Sequence, residues 1–209
     1  MKVAYLIMLF MLITTAMPLT DAGECEYGMV QAWARTLDEN GMWGEWQNAT
    51  VHTTLKIHEP FQVKVKVISK VDCKHLYISL ERAGNIASYE VIEGPSKVMD
   101  YVRNHDVPAG WSKTYEWTVC PTGNWTDGIA ALNVGAYFYK VYKIGDYYNG
   151  DEKTVDFTII AAYISPKEWQ GSMANGGNFT PGFGDTAAIT SFVFAILFIS
   201  KWRGGYEKR

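Results

Sequence analysis

Phe61-Gln62-Val63-Lys64-Val65-Lys66-Val67 alternates apolar and polar residues without a break. Successive side chains of a strand point to opposite faces, so Phe61, Val63, Val65 and Val67 belong to a core and Gln62, Lys64 and Lys66 to solvent. The same pattern recurs outward in both directions. Tyr27 to Ala34 and Thr50 to Ile57 read as strands before it, and His75 to Glu81, Ser88 to Ile92 and Thr114 to Cys120 after it. Val134 to Tyr142, led in by Gly128 to Asn133, and Val155 to Ile160 complete the set. Gly84-Asn85, Gly94-Pro95 and Pro121 punctuate these runs with turn chemistry. No segment between them carries a helical period. Seven or eight short antiparallel strands at that spacing predict an all-β, two-layer antiparallel sandwich.

Composition sets the frame for this body. Of the 209 residues, residues 23–174 make one domain, long enough for a real core. The formal net charge is -3 for the whole chain; residues 182–209 hold four basic and two acidic side chains, which leaves -5 for the rest. An acidic body without a basic cluster excludes nucleic acid as the expected partner. Cys25, Cys73 and Cys120 are odd in number, so at most one intrachain pair forms. Cys73 follows one strand and Cys120 ends another, which favours that pair. His52, His58, His75 and His105 are scattered without zinc-ligand spacing, and are read as solvated surface groups.

The two ends of the chain differ from its body. Met1-Lys2, the apolar run Val3 to Ile13 and Thr14 to Pro18 have the order of a secretion signal over residues 1–22. The small residues around Ala22 place cleavage between Ala22 and Gly23; Glu24 before Cys25 argues against a lipoprotein signal. At the other end, a Gly/Asn-rich linker (175–181) leads to residues 182–209, in which Ala187 to Ile199 hold no charge. The 18 residues from Gly182 to Ile199 reach roughly 27 Å as a helix, enough to cross a thin bilayer. Lys201 and Arg203 follow at once, so the basic end is expected in the cytoplasm and everything before Gly182 outside.

Pro181-Gly182-Phe183-Gly184, the apolar run and the basic pair resemble the PGF-CTERM sorting signal of archaeal surface proteins. That resemblance implies an archaeosortase-like processing enzyme as partner and a prenyl-derived lipid anchor on the new C-terminus. Without processing, the same tail is a single transmembrane helix. Glu59-Pro60-Phe61 with its alternating valines, the Leu76 to Glu81 strand, and Pro108-Ala109-Gly110 before Tyr115 to Val119 resemble immunoglobulin-like modules of archaeal surface proteins. One such module between a signal peptide and this tail is similar to the sarcinarray proteins of methanogenic archaea, and implies an envelope protein without a stated activity.

Candidate sites are few. Asn48-Ala49-Thr50, Asn124-Trp125-Thr126 and Asn178-Phe179-Thr180 are N-glycosylation acceptor sequences in turns or linker, so a glycoprotein is expected. Loop tryptophans Trp43, Trp46 and Trp125 offer flat rings of the kind that stack on sugars, whereas strand-borne Trp117 and Phe138 are expected in the core. Asp146-Tyr147-Tyr148-Asn149-Gly150-Asp151 gathers oxygen ligands, but Asn149-Gly150 is a hairpin signal in its own right, and a turn without calcium is the expectation. No Gly-x-Ser-x-Gly, His-Glu-x-x-His or phosphate-loop pattern occurs, and no metal or cofactor motif. The reading is therefore a non-enzymatic cell-surface module, membrane-anchored and partnered by other envelope proteins or glycans. The alternative is a surface carbohydrate-binding or adhesion domain that uses the loop tryptophans.

Overall fold

The valine ladder forms the middle strand of one of two stacked sheets. The computed structural model describes residues 22–48 and 50–171, and the compact unit that contains both sheets ends at Gly171. The stretches expected as signal peptide (up to Asp21), linker and sorting tail lie outside the described residues, as do Asn178, Pro181, Gly182 and Phe183. Ten strands are described: β1 (Ala22–Glu24), β2 (Gly28–Thr36), β3 (Val51–Ile57), β4 (Phe61–Ser69), β5 (Cys73–Arg82), β6 (Tyr89–Glu93), β7 (Val102–Val107), β8 (Ser112–Pro121), β9 (Gly128–Ile144) and β10 (Tyr147–Glu168). The first sheet has the order β1-β2-β4-β8-β6 and the second β3-β10-β9-β5-β7. The expected cleavage point between Ala22 and Gly23 falls within β1.

The alternation read from the sequence is what joins the sheets. Phe61, Val63, Val65 and Val67 are fully buried, while Gln62, Lys64 and Lys66 on the opposite face are not. Trp117 and Val119 of β8 and Val30, Ala32 and Ala34 of β2 continue this inner layer. From the second sheet, Leu76, Ile78 and Leu80 of β5 and Leu132, Val134, Ala136 and Phe138 of β9 face it. Gly28 has no side chain because the Phe138 ring occupies the space where a Cβ would stand. At the other end Tyr89 donates from its hydroxyl to the Ala130 carbonyl at 2.9 Å, which satisfies a buried phenol across the layers.

Three features depart from the expected plan. The sandwich is mixed rather than wholly antiparallel, since β3 runs parallel to β10, with Val51 opposite Ile160 and Leu55 opposite Ile164. The seventh strand lies between the expected strands Ser88 to Ile92 and Thr114 to Cys120, where none was expected, and pairs with β5 at the sheet edge. The last hairpin turns at Gly145 and Asp146, not at Asn149-Gly150, which lies inside β10 with Gly150 opposite Val141. Gly145, at φ 60, supplies the left-handed residue that such a two-residue turn requires. This register sets Val155 opposite Ala136 and, past a bulge between Thr158 and Ile160, Ile160 opposite Leu132, buried against buried.

Beyond the first residues of β5 the β9–β10 pair has no further neighbour in register, so it continues as a two-stranded ribbon. At its tip Tyr147 and Tyr148 are 82% and 77% exposed. The burial of Trp117 makes it the sensitive position of the core. Trp117→Ala should destabilise the protein by about 3 to 5 kcal/mol, lowering the melting temperature by roughly 10 °C. Lys66→Gln, on the outer face of the same sheet, should shift it by no more than about 2 °C. Thermal denaturation followed by circular dichroism measures both.

Candidate functional site

Strand alternation leaves the outer face of the second sheet to polar and aromatic residues, and the register brings several into two rows. His105 of β7 stands opposite His75 of β5, His75 opposite Tyr139 of β9, and Tyr139 opposite Glu152 of β10. In the next row Arg103, Tyr77, Tyr137 and Thr154 follow the same order. Tyr101, just before β7, leans over the second row: its ring centroid lies 5.9 Å from that of Tyr77 and 5.6 Å from that of Tyr137. Tyr77 also packs on Tyr139 at 5.3 Å. These rings meet at angles of 44° to 86°, so they interlock and do not form one flat platform.

Beside the rings lies an acidic edge. The Glu81 carboxylate rests over Gly135 and accepts hydrogen bonds from Ser79 and, at 2.7 Å, from the Tyr137 hydroxyl. Burial, then the Glu81 carboxylate, pushes the Tyr137 phenol up. Asp156 is also raised, by burial first and by the charge of Glu81 second. The arrangement presents acceptors and aromatic edges to a ligand. Among the described residues no group of three or more His, Cys, Asp or Glu side chains is placed to enclose a metal ion.

The outer face of the first sheet holds a different cluster. The Trp43–Gln47 segment folds back on β2 through bridges from Leu37 to Trp43 and from Ala34 to Gln47. There the Arg35 guanidinium lies 4.3 Å from the Trp46 ring centre and 5.4 Å from that of Trp43. The Lys64 ammonium sits 4.0 Å from the Trp46 ring centre and 5.4 Å from that of Trp33. Cation–π contacts at these distances are attractive and cover ring surface that a sugar would use. Trp33 and Lys64, both absent from the expected site, belong to this cluster because β2 and β4 are neighbours with Trp33 opposite Lys64.

Trp125 lies in the turn between β8 and β9, at the same end of the sandwich as Thr36 and Phe61. It is 38% exposed, in the turn before β9, with its ring against Gly128. Asn124 beside it is exposed, while Asn48 is half-buried next to the Gln47 bridge. Asp146 and Asp151 do not converge as calcium ligands: the first is in the turn, and the second accepts from the Tyr27 hydroxyl at 2.6 Å.

The expected Cys73–Cys120 bond is a correction. The Cys73 thiol lies 3.5 Å from the Ser69 hydroxyl at the end of β4, whereas Cys120 follows Val119, the partner of Phe61 at its start. Eight strand steps, roughly 26 Å, separate those ends, and a disulfide needs Cα atoms within about 7 Å. All three thiols are free. Burial pushes both the Cys73 and Cys120 thiols up, Cys120 further under the influence of Glu90. Sequence order placed each cysteine at a strand end but not at which end of the sandwich.

At the base of the ribbon, Tyr27 and Asp151 clasp the first sheet to β10, with the ammonium groups of Lys140 and Lys153 each 5.8 Å from the Tyr27 ring centre. The bond to the Asp151 carboxylate, with burial next, pushes Tyr27 up to about 12, and the same bond holds Asp151 low. For the phenol, the clasp contributes fully below pH 10 and is lost as pH rises from 10 through about 12. For the carboxylate, it is lost as pH falls through the acid range. In a phenolate absorbance titration, Asp151→Asn should move one tyrosine from the late-ionising group back toward pH 10. An unchanged titration curve would dismiss the clasp.

A comparison with curated proteins returns no match. The model of the MAST domain family matches residues 45–198, which takes in β3 to β10 and continues through the apolar segment of the tail. That match covers more than half of the 209 residues, and the chain therefore belongs to the MAST domain family.

Proposed function

We propose that this chain is an exported, non-enzymatic envelope protein of an archaeon, held at its C-terminus and acting outside the cell as a structural or interaction module. One observation carries the reading: the chain leaves the sandwich at the end opposite the ribbon. Strand β10 starts at the tip with Tyr147 and ends at Glu168, where Ile57, the last residue of β3, accepts from the Trp169 amide. Its 22 residues extend over roughly 70 Å. In this reading the Trp169 end of the sandwich leads to the tail, and the tyrosine tip is the far end of β10.

Further support comes from the termini and the topology. The family match reaches residue 198 and so treats sandwich and apolar segment as one unit. Pro181-Gly182-Phe183 and the basic pair beyond it fit archaeosortase processing and lipid anchoring. Asn124, exposed in its turn, is the acceptor most open to a glycan among the described residues. The order β2-β4-β8-β6 corresponds to the A-B-E-D sheet of an immunoglobulin domain, and β10-β9-β5 to G-F-C with β7 as an added strand beside C. A sarcinarray-like protein of a methanogen has this plan of signal, single module and tail.

The carbohydrate-binding alternative rests on Trp125 more than on Trp43 and Trp46, since cations cover much of the Trp46 ring. On a glycan array the chain should show no saccharide binding that Trp125→Ala abolishes; such binding would replace the structural reading by the adhesion one.

The topology is tested on intact cells with a membrane-impermeant maleimide, in a Cys25→Ser background. Tyr148→Cys should label without lysis. Arg209→Cys should label only after lysis, or be missing from the mature protein, whose intact mass then reports tail removal. A tip that labels only in lysed cells would overturn the exported reading.

A further inference from the structure

His75 and His105 were each read as solvated surface groups, yet the β5–β7 register makes them direct cross-strand partners. Their Nδ1 atoms lie 2.8 Å apart with the rings perpendicular, centroids 5.0 Å apart. Neither ring is loose. His75 stacks on Tyr77 at 5.8 Å and 19°, and Tyr77 meets His105 edge-on at 6.4 Å and 78°.

A neutral imidazole carries its single proton on one nitrogen, so two Nδ1 lone pairs at this distance repel unless something electropositive lies between them. A proton or a metal ion meets that need. With metal–nitrogen bonds of about 2.0 Å, two ligands at a right angle stand roughly 2.8 Å apart, and two at the tetrahedral angle about 3.3 Å. The observed spacing matches the right-angled arrangement of a square-planar or tetragonal ion. Two imidazole ligands and a tetragonal preference point to Cu2+ ahead of the other first-row divalent ions.

We propose that His75 and His105 form an open, two-imidazole site for Cu2+ on the outer face of the second sheet. Solvent fills the remaining positions, since among the described residues no third His, Cys, Asp or Glu joins them. The Asp106 carboxylate, adjacent in sequence to His105, is paired with the Lys74 ammonium, so the two charges offset each other beside the site. The bound ion ties the exposed edge strand β7 to β5.

The untagged full chain, stripped of metal and with its thiols alkylated, is titrated with copper(II) sulfate and followed by calorimetry and electron paramagnetic resonance. The expected result is one ion per chain with hyperfine splitting from two nitrogens. Removing a ligand outranks the loss of a ligand's hydrogen-bond partner, so His75→Ala and His105→Ala should each weaken binding about tenfold or more. His105 is exposed on an edge strand, so His105→Gln carries the test should His75→Ala fail to fold. Absence of stoichiometric binding, or equal affinity in the folded histidine variants, would overturn the site.

Discussion

The antiparallel pairing of β9 with β10 is the constraint on which the rest of the structure depends. It runs from Gly128 opposite Ile164 to Ile144 opposite Tyr147, the longest ladder in the described residues. Each flank of this pair recruits a further element: β5 adds to β9, and β3 adds in parallel to β10. A single bulge between Thr158 and Ile160 keeps the two halves of β10 in step with the core. Without it Ile160, Ala162 and Ile164 would turn to solvent, because a one-residue slip exchanges the faces of a strand. The ribbon, the parallel edge and the exit of the chain all follow from this one register.

Much of this was legible in the sequence wherever one face of a strand meets the core and the other meets water. Phe61 to Val67 and Leu76 to Leu80 announced themselves by alternation, and the burial of Phe61, Val63, Val65, Val67, Leu76, Ile78 and Leu80 follows it, with Ser79 buried as well. The seventh strand did not, because Arg103, Asn104, His105 and Asp106 leave an edge strand with almost no apolar face to read. The turn at Gly145-Asp146 lost to the stronger local signal of Asn149-Gly150, since turn propensity is local and register is settled by distant burial. Parallel pairing of β3 is likewise a long-range fact with no local mark.

The candidate sites divide along the same line. Loop tryptophans were visible as rings, but their partners were not: Arg35 and Lys64 reach Trp46 only because β2 and β4 are adjacent. Two histidines thirty residues apart become one chemical unit only through the β5–β7 pairing. In an all-β protein of this kind, side chains gather across strands. Sequence spacing therefore reports which face a residue occupies, and register reports its neighbours.

Exposed edges decide how such a body can associate. Unpaired strand edges invite further strands, and natural sheets blunt them with short strands and charge. The first strand has three residues, β6 carries Glu90 and Glu93, and β7 carries Arg103 and Asp106. Along the ribbon, Lys140, Lys143, Asp151, Glu152 and Lys153 carry charges of both signs, so an added strand would have to match a charge pattern as well as hydrogen bonds. At the tip Tyr147 and Tyr148 expose most of their rings, with Asp146 in the turn and Lys143 opposite Tyr148. Contact through ring surface at the tip needs no register match, unlike contact through backbone edges.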